Sequence, residues 1–140
     1  MIPLVVDASV AVKWFLHESD HERNSDEALR WLRASCSGEV HFLQPPHFRA
    51  EVAAVLARLK PEESAADIAD FLEMEFSVFD DVTIYQAARA LSVQLGHHLF
   101  DTMYHAIALK NSGARLITAD ERYYRKARHL GAIQRLEPGQ

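Results

Sequence analysis

The chain has 140 residues, 49% hydrophobic and 25% charged, an ordinary balance for a soluble globular protein with enough length for a real core. Its one cysteine, Cys36, excludes an intrachain disulfide, and no apolar run approaches the roughly 20 residues that a membrane helix needs. The net charge of −5 is unevenly spread, with 17 acids against 9 bases in residues 1–113 and 6 bases against 3 acids in residues 114–140.

In chain order, Leu4-Val5-Val6 is short and largely β-branched, as expected of a buried strand. Asp7 follows it, and from Ala8 the spacing of Val10, Trp14 and Phe15 fits a helix. The N-terminus lacks the basic region of a secretory leader, and Asp7 interrupts the apolar stretch early. With the lone thiol, this points to the reducing cytoplasm, and Cys36 itself reads as a small buried side chain. His17 to Ser25 is polar and reads as a loop, and Asp26 to Cys36 as an amphipathic helix stopped by Gly38. Val40 to Leu43 is the next strand, and Pro45-Pro46 turns it into a helix from His47 to Leu59. Phe48, Val52, Val55, Leu56 and Leu59 form the apolar stripe of that helix.

Glu62 to Met74 reads as a further helix, Phe76 to Phe79 as a short strand, and Thr83 to Leu95 as a helix ended by Gly96. A helix is expected over Asp101 to Asn111 and a strand at Leu116-Ile117, closed by Thr118-Ala119-Asp120. Glu121 to His129 is helical, and a last short strand lies near Ile133. The alternation implies an α/β fold: a three-layer α/β/α sandwich with a central, mostly parallel sheet, formed by residues 1–140 as one domain.

Four acids stand where their surroundings repel charge. Asp7 and Asp120 each end a strand, Asp101 follows Leu99-Phe100 at a helix start, and Glu51 borders the apolar face that carries Phe48 and Val55. The three aspartates suit helix N-caps, and Glu51 could pair with Arg49 or Arg58 or lean out to water. Ligands in open α/β sheets bind at the carboxyl ends of strands. Carboxylates gathered there repel one another unless a cation is bound, and hard oxygen donors favour Mg²⁺ or Mn²⁺. His97, His98 and His105 are further candidate ligands, with solvated or capping roles the simpler explanation.

The order of these motifs resembles the PIN-domain family, and more narrowly the VapC-type toxins of bacterial toxin–antitoxin pairs. The resemblance rests on Val5-Val6-Asp7-Ala8-Ser9 with Val12-Lys13-Trp14-Phe15, on Pro45-Pro46 with Glu51-Val52-Ala53, on Phe100-Asp101-Thr102-Met103-Tyr104-His105-Ala106, and on Leu116-Ile117-Thr118-Ala119-Asp120. It implies an acidic quartet of Asp7, Glu51, Asp101 and Asp120 as catalytic and metal-binding residues, with Asp7 and Asp120 the primary ligands. Ser9 and Thr118 would support the first and last aspartates. The chain departs from the family pattern in Phe100 and Thr102, where Tyr and Ala are common, and in Arg122, where some relatives carry an acidic or polar residue.

The implied activity is Mg²⁺- or Mn²⁺-dependent endoribonuclease cleavage that leaves a 5′-phosphate and a 3′-hydroxyl. The implied partners are RNA, an antitoxin whose tail enters the acidic groove, and a second copy in a homodimer. The basic C-terminal residues Arg115, Arg122, Arg125, Lys126, Arg128 and Arg135 form either a solvated face or a strip for the RNA backbone, with Arg122, Arg125 and Lys126 nearest the fourth acid. The helices near Trp14 and Trp31 are a candidate partner surface. A silent PIN-like binding module is the alternative. A Mg²⁺-dependent phospho-acceptor domain fits less well, because Asp7 has no acidic companion and no lysine follows Asp120 before Lys126.

Overall fold

A computed structural model describes residues 1–16 and 24–137. Five strands form one parallel sheet in the order β3-β2-β1-β4-β5: β1 (Ile2–Val6), β2 (Val40–Gln44), β3 (Ser77–Val78), β4 (Arg115–Thr118) and β5 (Ile133–Arg135). Leu4 pairs with Phe42 on one side, and Val5 with Leu116 on the other. Leu4, Val5 and Val6 are fully buried, as a central parallel strand with both faces covered requires.

The helices are α1 (Ala8–Ala11), α2 (Ser25–Cys36), α3 (Phe48–Leu59), α4 (Ser64–Leu72), α5 (Val82–Leu95), α6 (Leu99–Lys110) and α7 (Glu121–Ala127). From β1 the chain steps outward through β2 to β3, then crosses back to β4 and continues to β5 on the other side. Right-handed crossovers in opposite directions place α1–α4 on one face and α5–α7 on the other. The expected α/β sandwich is therefore present, and its sheet is wholly parallel.

On the first face Trp14 stacks on Phe42 with ring centroids 5.7 Å apart, and Phe48 meets Phe71 edge-on at 5.4 Å. Trp14 is buried and donates its indole N–H to the Ala28 carbonyl at 2.9 Å, so its ring belongs to the core. Trp31 is half-buried. Cys36 is exposed in the last turn of α2, contrary to the expectation of a buried thiol. Residues at a helix end face outward once the chain turns away, here at Gly38 (φ +84°).

Several boundaries shift for local reasons. Of the expected loop from His17, residues 17–23 lie outside the described residues, and Ser25 already opens α2. The helix after Asp7 is a single α-turn that tightens into a 3₁₀ turn over Val12–Trp14. The segment after Pro61 becomes helical only at Ser64, whose N–H bonds the Lys60 carbonyl at 2.8 Å. The third strand has only two residues, although the Phe79 N–H still reaches the Gln44 carbonyl at 2.9 Å. α6 starts two residues early, because extended His98 accepts the Asp101 and Thr102 amides, each at 3.2 Å. Asp101 thus lies inside the first turn and is not a cap. α7 ends at Ala127, and Arg128–Leu130 continues as a 3₁₀ turn.

One buried side chain fixes the end of β1. Gln44 accepts the Val6 N–H on Oε1 at 2.9 Å and donates from Nε2 to the Val6 carbonyl at 2.7 Å. The amide side chain extends the sheet ladder just where Pro45 takes β2 away. Gln44→Leu leaves both Val6 groups unpaired, and a loss of about 2 kcal/mol is expected by urea denaturation. Among the described residues, no helix is long and apolar enough to cross a membrane.

Candidate metal centre at the carboxyl edge of the sheet

Neighbouring strands β1 and β4 lead to connections that run in opposite directions, so a crevice opens beyond their carboxyl ends. Asp7 is the first residue past β1. Its N–H continues the ladder to the Ile117 carbonyl at 3.3 Å, and its own carbonyl accepts the Val10 and Ala11 amides that start α1. Its side chain makes no capping bond. It accepts instead from two hydroxyls, with Ser9 Oγ donating to Oδ1 and Thr118 Oγ1 to Oδ2.

Each hydroxyl is itself oriented by a main-chain amide of the fourth motif. The Ala119 N–H donates to Ser9 Oγ and the Asp120 N–H to Thr118 Oγ1, both at 3.0 Å. A hydroxyl has a single proton to give, and accepting these amides leaves it for Asp7. Ser9 and Thr118 therefore both engage the first aspartate, and Thr118 holds the fourth only through its main chain. Burial raises the Asp7 carboxyl to about 7; the two hydroxyls oppose that shift, and the charges of Asp101 and Asp120 add to it.

Asp120 precedes α7 and caps it, with Oδ1 accepting the Tyr123 N–H at 3.0 Å. Asp101, in the first turn of α6, accepts from His97 Nε2 on Oδ2 at 2.7 Å. One donor atom each from His97, Asp101 and Asp120 lies within 4.8 Å of the others. Asp7 stands outside that tight group but repels both Asp101 and Asp120.

Glu51 comes from α3. Of the partners foreseen for it, Arg49 is engaged elsewhere, reaching the Met74 carbonyl at 3.3 Å with its guanidinium 4.5 Å from the Phe76 ring centroid. Instead Oε1 accepts from the Tyr104 hydroxyl at 2.6 Å, with His47 Nε2 at 3.4 Å. Burial is the main cause raising the Glu51 carboxyl; Tyr104 and His47 act against it, and Asp101 reinforces it. Tyr104 is held in its phenol form by burial and by the adjacent Glu51 charge. The four acids thus form one repelling cluster with Asp101 at its centre. Among the described residues, the basic side chains paired with these carboxylates are histidines, His47 and His97. Partly buried oxygens with no lysine or arginine among those partners are a donor set suited to a hard divalent cation.

Sequence reading missed Tyr104, His47 and the engaged role of His97. Spacing carried a signal for two of them, His97 four residues before Asp101 and His47 four before Glu51, and none for Tyr104, whose partner Glu51 is on another helix. His105 is no ligand. It is fully buried, donating from Nε2 to the Gly131 carbonyl and accepting the Tyr123 hydroxyl on Nδ1, each at 2.8 Å. Burial lowers its pKa and keeps it neutral.

The basic residues of the C-terminal segment do not make one strip. Arg115 opens β4, at the edge away from Thr118, and lies over Trp31. Arg135 pairs with Glu121 and Glu137, and Arg128 lies over Tyr124. Lys126 is bound to the Gly96 carbonyl and to His97. Arg122 and Arg125 remain exposed on α7, beside the fourth acid.

This architecture has solved counterparts. VapC20 of Mycobacterium tuberculosis, described as a toxin that cleaves the sarcin-ricin loop, superposes with a TM-score of 0.61 at 16% identity, covering 83% of this chain and 87% of its own. A chain of VapBC2 from Rickettsia felis, solved bound to a DNA fragment from its promoter, gives 0.64 at 14% identity, covering 97% and 100%. PAE2754 of Pyrobaculum aerophilum gives 0.64 at 21% identity, covering 96% and 91%. At such identities the likeness is one of fold. No curated protein matches the sequence. A sequence model of the PIN domain, however, matches residues 4–129, which run from β1 into the turn after α7 and take in all four acids. The chain belongs to the PIN-domain family.

Proposed function

We propose that this chain is a VapC-type toxin of a toxin–antitoxin pair, acting in the cytoplasm as a Mg²⁺- or Mn²⁺-dependent endoribonuclease, with residues 1–140 as one domain. The observation that carries the reading is the convergence of Asp7, Glu51, Asp101 and Asp120 on one crevice of a PIN fold, from four separate elements. The RNA-cleaving description of VapC20 and the VapBC complexes among similar structures support an RNA substrate and an antitoxin partner. The homodimer rests on the family resemblance.

In this reading Asp7, Asp101 and Asp120 hold the cation and Glu51 completes the cluster. When bound there, a divalent ion would supply a water of lowered pKa and offset charge building on the phosphate. The chain's own residues set the rest. Ser9 and Thr118 hold the Asp7 carboxylate in one orientation, and Tyr104 does the same for Glu51. The carboxyl of Glu51, raised by burial, serves as proton acceptor. Arg122 and Arg125 hold the flanking RNA backbone.

The test is incubation of the purified protein with total cellular RNA, in Mg²⁺ and in excess chelator, with end-labelling of the fragments. Cleavage in Mg²⁺ alone, giving 5′-phosphate ends, is expected. Cleavage that persists in chelator would contradict the assignment. Replacing both Arg122 and Arg125 by alanine is expected to raise KM several-fold with little change in kcat, and to flatten the dependence of binding on salt by about two phosphate contacts. Steady-state kinetics and binding at several salt concentrations check this.

A further inference from the structure

The side chain of His97 is 8% exposed, and its two nitrogens face groups of opposite kind. Nε2 is 2.7 Å from Asp101 Oδ2, and Nδ1 is 3.3 Å from Lys126 Nζ. An ammonium group has three donors and no acceptor. Nδ1 must therefore accept, which places the ring proton on Nε2 and directs it at Asp101. Lys126 is anchored by the carbonyl of Gly96, the left-handed cap of α5, at 3.2 Å. The ring also meets Tyr123 edge-on at 4.9 Å.

Proximity alone would make His97 a nitrogen ligand beside Asp101 and Asp120. The hydrogen bonding argues otherwise. A metal-bound histidine donates its second N–H to a carbonyl or carboxylate, whereas the second nitrogen here faces a donor. The nitrogen nearest the acids has no lone pair to offer.

We infer that His97 is a positioning residue of the metal centre, one that ties up Asp101 Oδ2 and leaves Oδ1 for the cation, with Lys126 fixing the ring tautomer that makes this possible. The inference rests on the reading of Asp101 as a cation ligand. It also moves Lys126 from the RNA-binding residues to the support of the centre. The arrangement joins three elements, since the lysine is on α7, the histidine in the α5–α6 connection and the acid on α6. It resembles the carboxylate–histidine pairs that orient metal ligands elsewhere, with histidine here supporting the acid.

Two measurements on the full chain decide it: Mn²⁺ affinity from the free-ion EPR signal, and the His97 tautomer from long-range ¹H–¹⁵N NMR. The parent protein is expected to show the Nε2–H tautomer. His97→Ala should weaken Mn²⁺ binding about 10-fold. His97→Gln, whose amide can still donate to Asp101, should recover most of that loss. Lys126→Met should populate the Nδ1–H tautomer and weaken binding in proportion. An Nδ1–H ring in the parent, unchanged affinity in His97→Ala, or a glutamine variant as weak as alanine while melting at the parent's temperature would each overturn the inference. Asp101→Asn separates the two levels. If it binds Mn²⁺ like the parent, the functional reading fails. If it loses binding while His97→Ala does not, only the positioning role fails.

Discussion

Replacing Asp7 by asparagine is expected to abolish RNA cleavage, by about 10²–10³-fold or more, while making the metal-free protein more stable. Both effects follow from one carboxylate. Asp7 is half-buried between two oriented hydroxyls, and its pKa is raised to about 7 by burial and by the neighbouring acids. In the unfolded chain it titrates near 3.9. Between those values the folded protein holds a proton that the unfolded chain has released, so stability falls as pH rises from about 4 to about 7 and then levels off. Partial exposure moderates the penalty, and about 2 kcal/mol at pH 8 is a reasonable scale. Asparagine carries no charge, so Asp7→Asn should remove this pH dependence and gain that stability. Urea denaturation at pH 5 and pH 8 in chelator, beside an RNA cleavage assay, checks the pair of effects. A destabilised variant that still cuts RNA would contradict both.

Asp120 allows a cleaner separation of structure from chemistry. Its Oδ1 caps α7 through the Tyr123 amide, a bond that asparagine makes about equally well. Asp120→Asn should therefore stay within about 0.5 kcal/mol of the parent in stability yet lose cleavage by about 100-fold or more. Asp120→Ala should lose the same activity and about 1 kcal/mol of stability in addition. Thermal or urea melts and single-turnover cleavage distinguish the two variants. If asparagine retained activity, Asp120 would be a cap and nothing more.

The central fold was legible because parallel α/β proteins write themselves in alternating patterns. Buried β-branched runs marked β1 and β4, and Gly96 marked the end of α5. What stayed hidden depended on contacts across the chain. Two residues of β3 suffice as an edge strand because Gln44 and Phe79 extend its pairing, which no local pattern announces. The early start of α6 comes from the extended backbone of His98, and histidine is not a characteristic cap.

The site divided in the same way. Its acids were conspicuous because carboxylates beside apolar strands and stripes conflict with local preference. Their supports were not. Tyr104 lies within α6 and His97 in the α5–α6 connection, and what each supports shows only when α3, α6 and α7 come together. The basic segment divides for a related reason: its residues are close in sequence, while strand and helix geometry sends Arg115 to the far edge of the sheet.

On this reading the crevice between β1 and β4 is where a divalent cation binds. Anomalous diffraction from crystals of the full chain soaked in Mn²⁺ tests it most directly. A peak in coordinating contact with carboxylate oxygens of Asp7, Asp101 and Asp120, absent from crystals of Asp7→Asn, is the predicted result. Crystals in the same Mn²⁺ with no peak among these acids, or with an equal peak in the variant, would contradict the account.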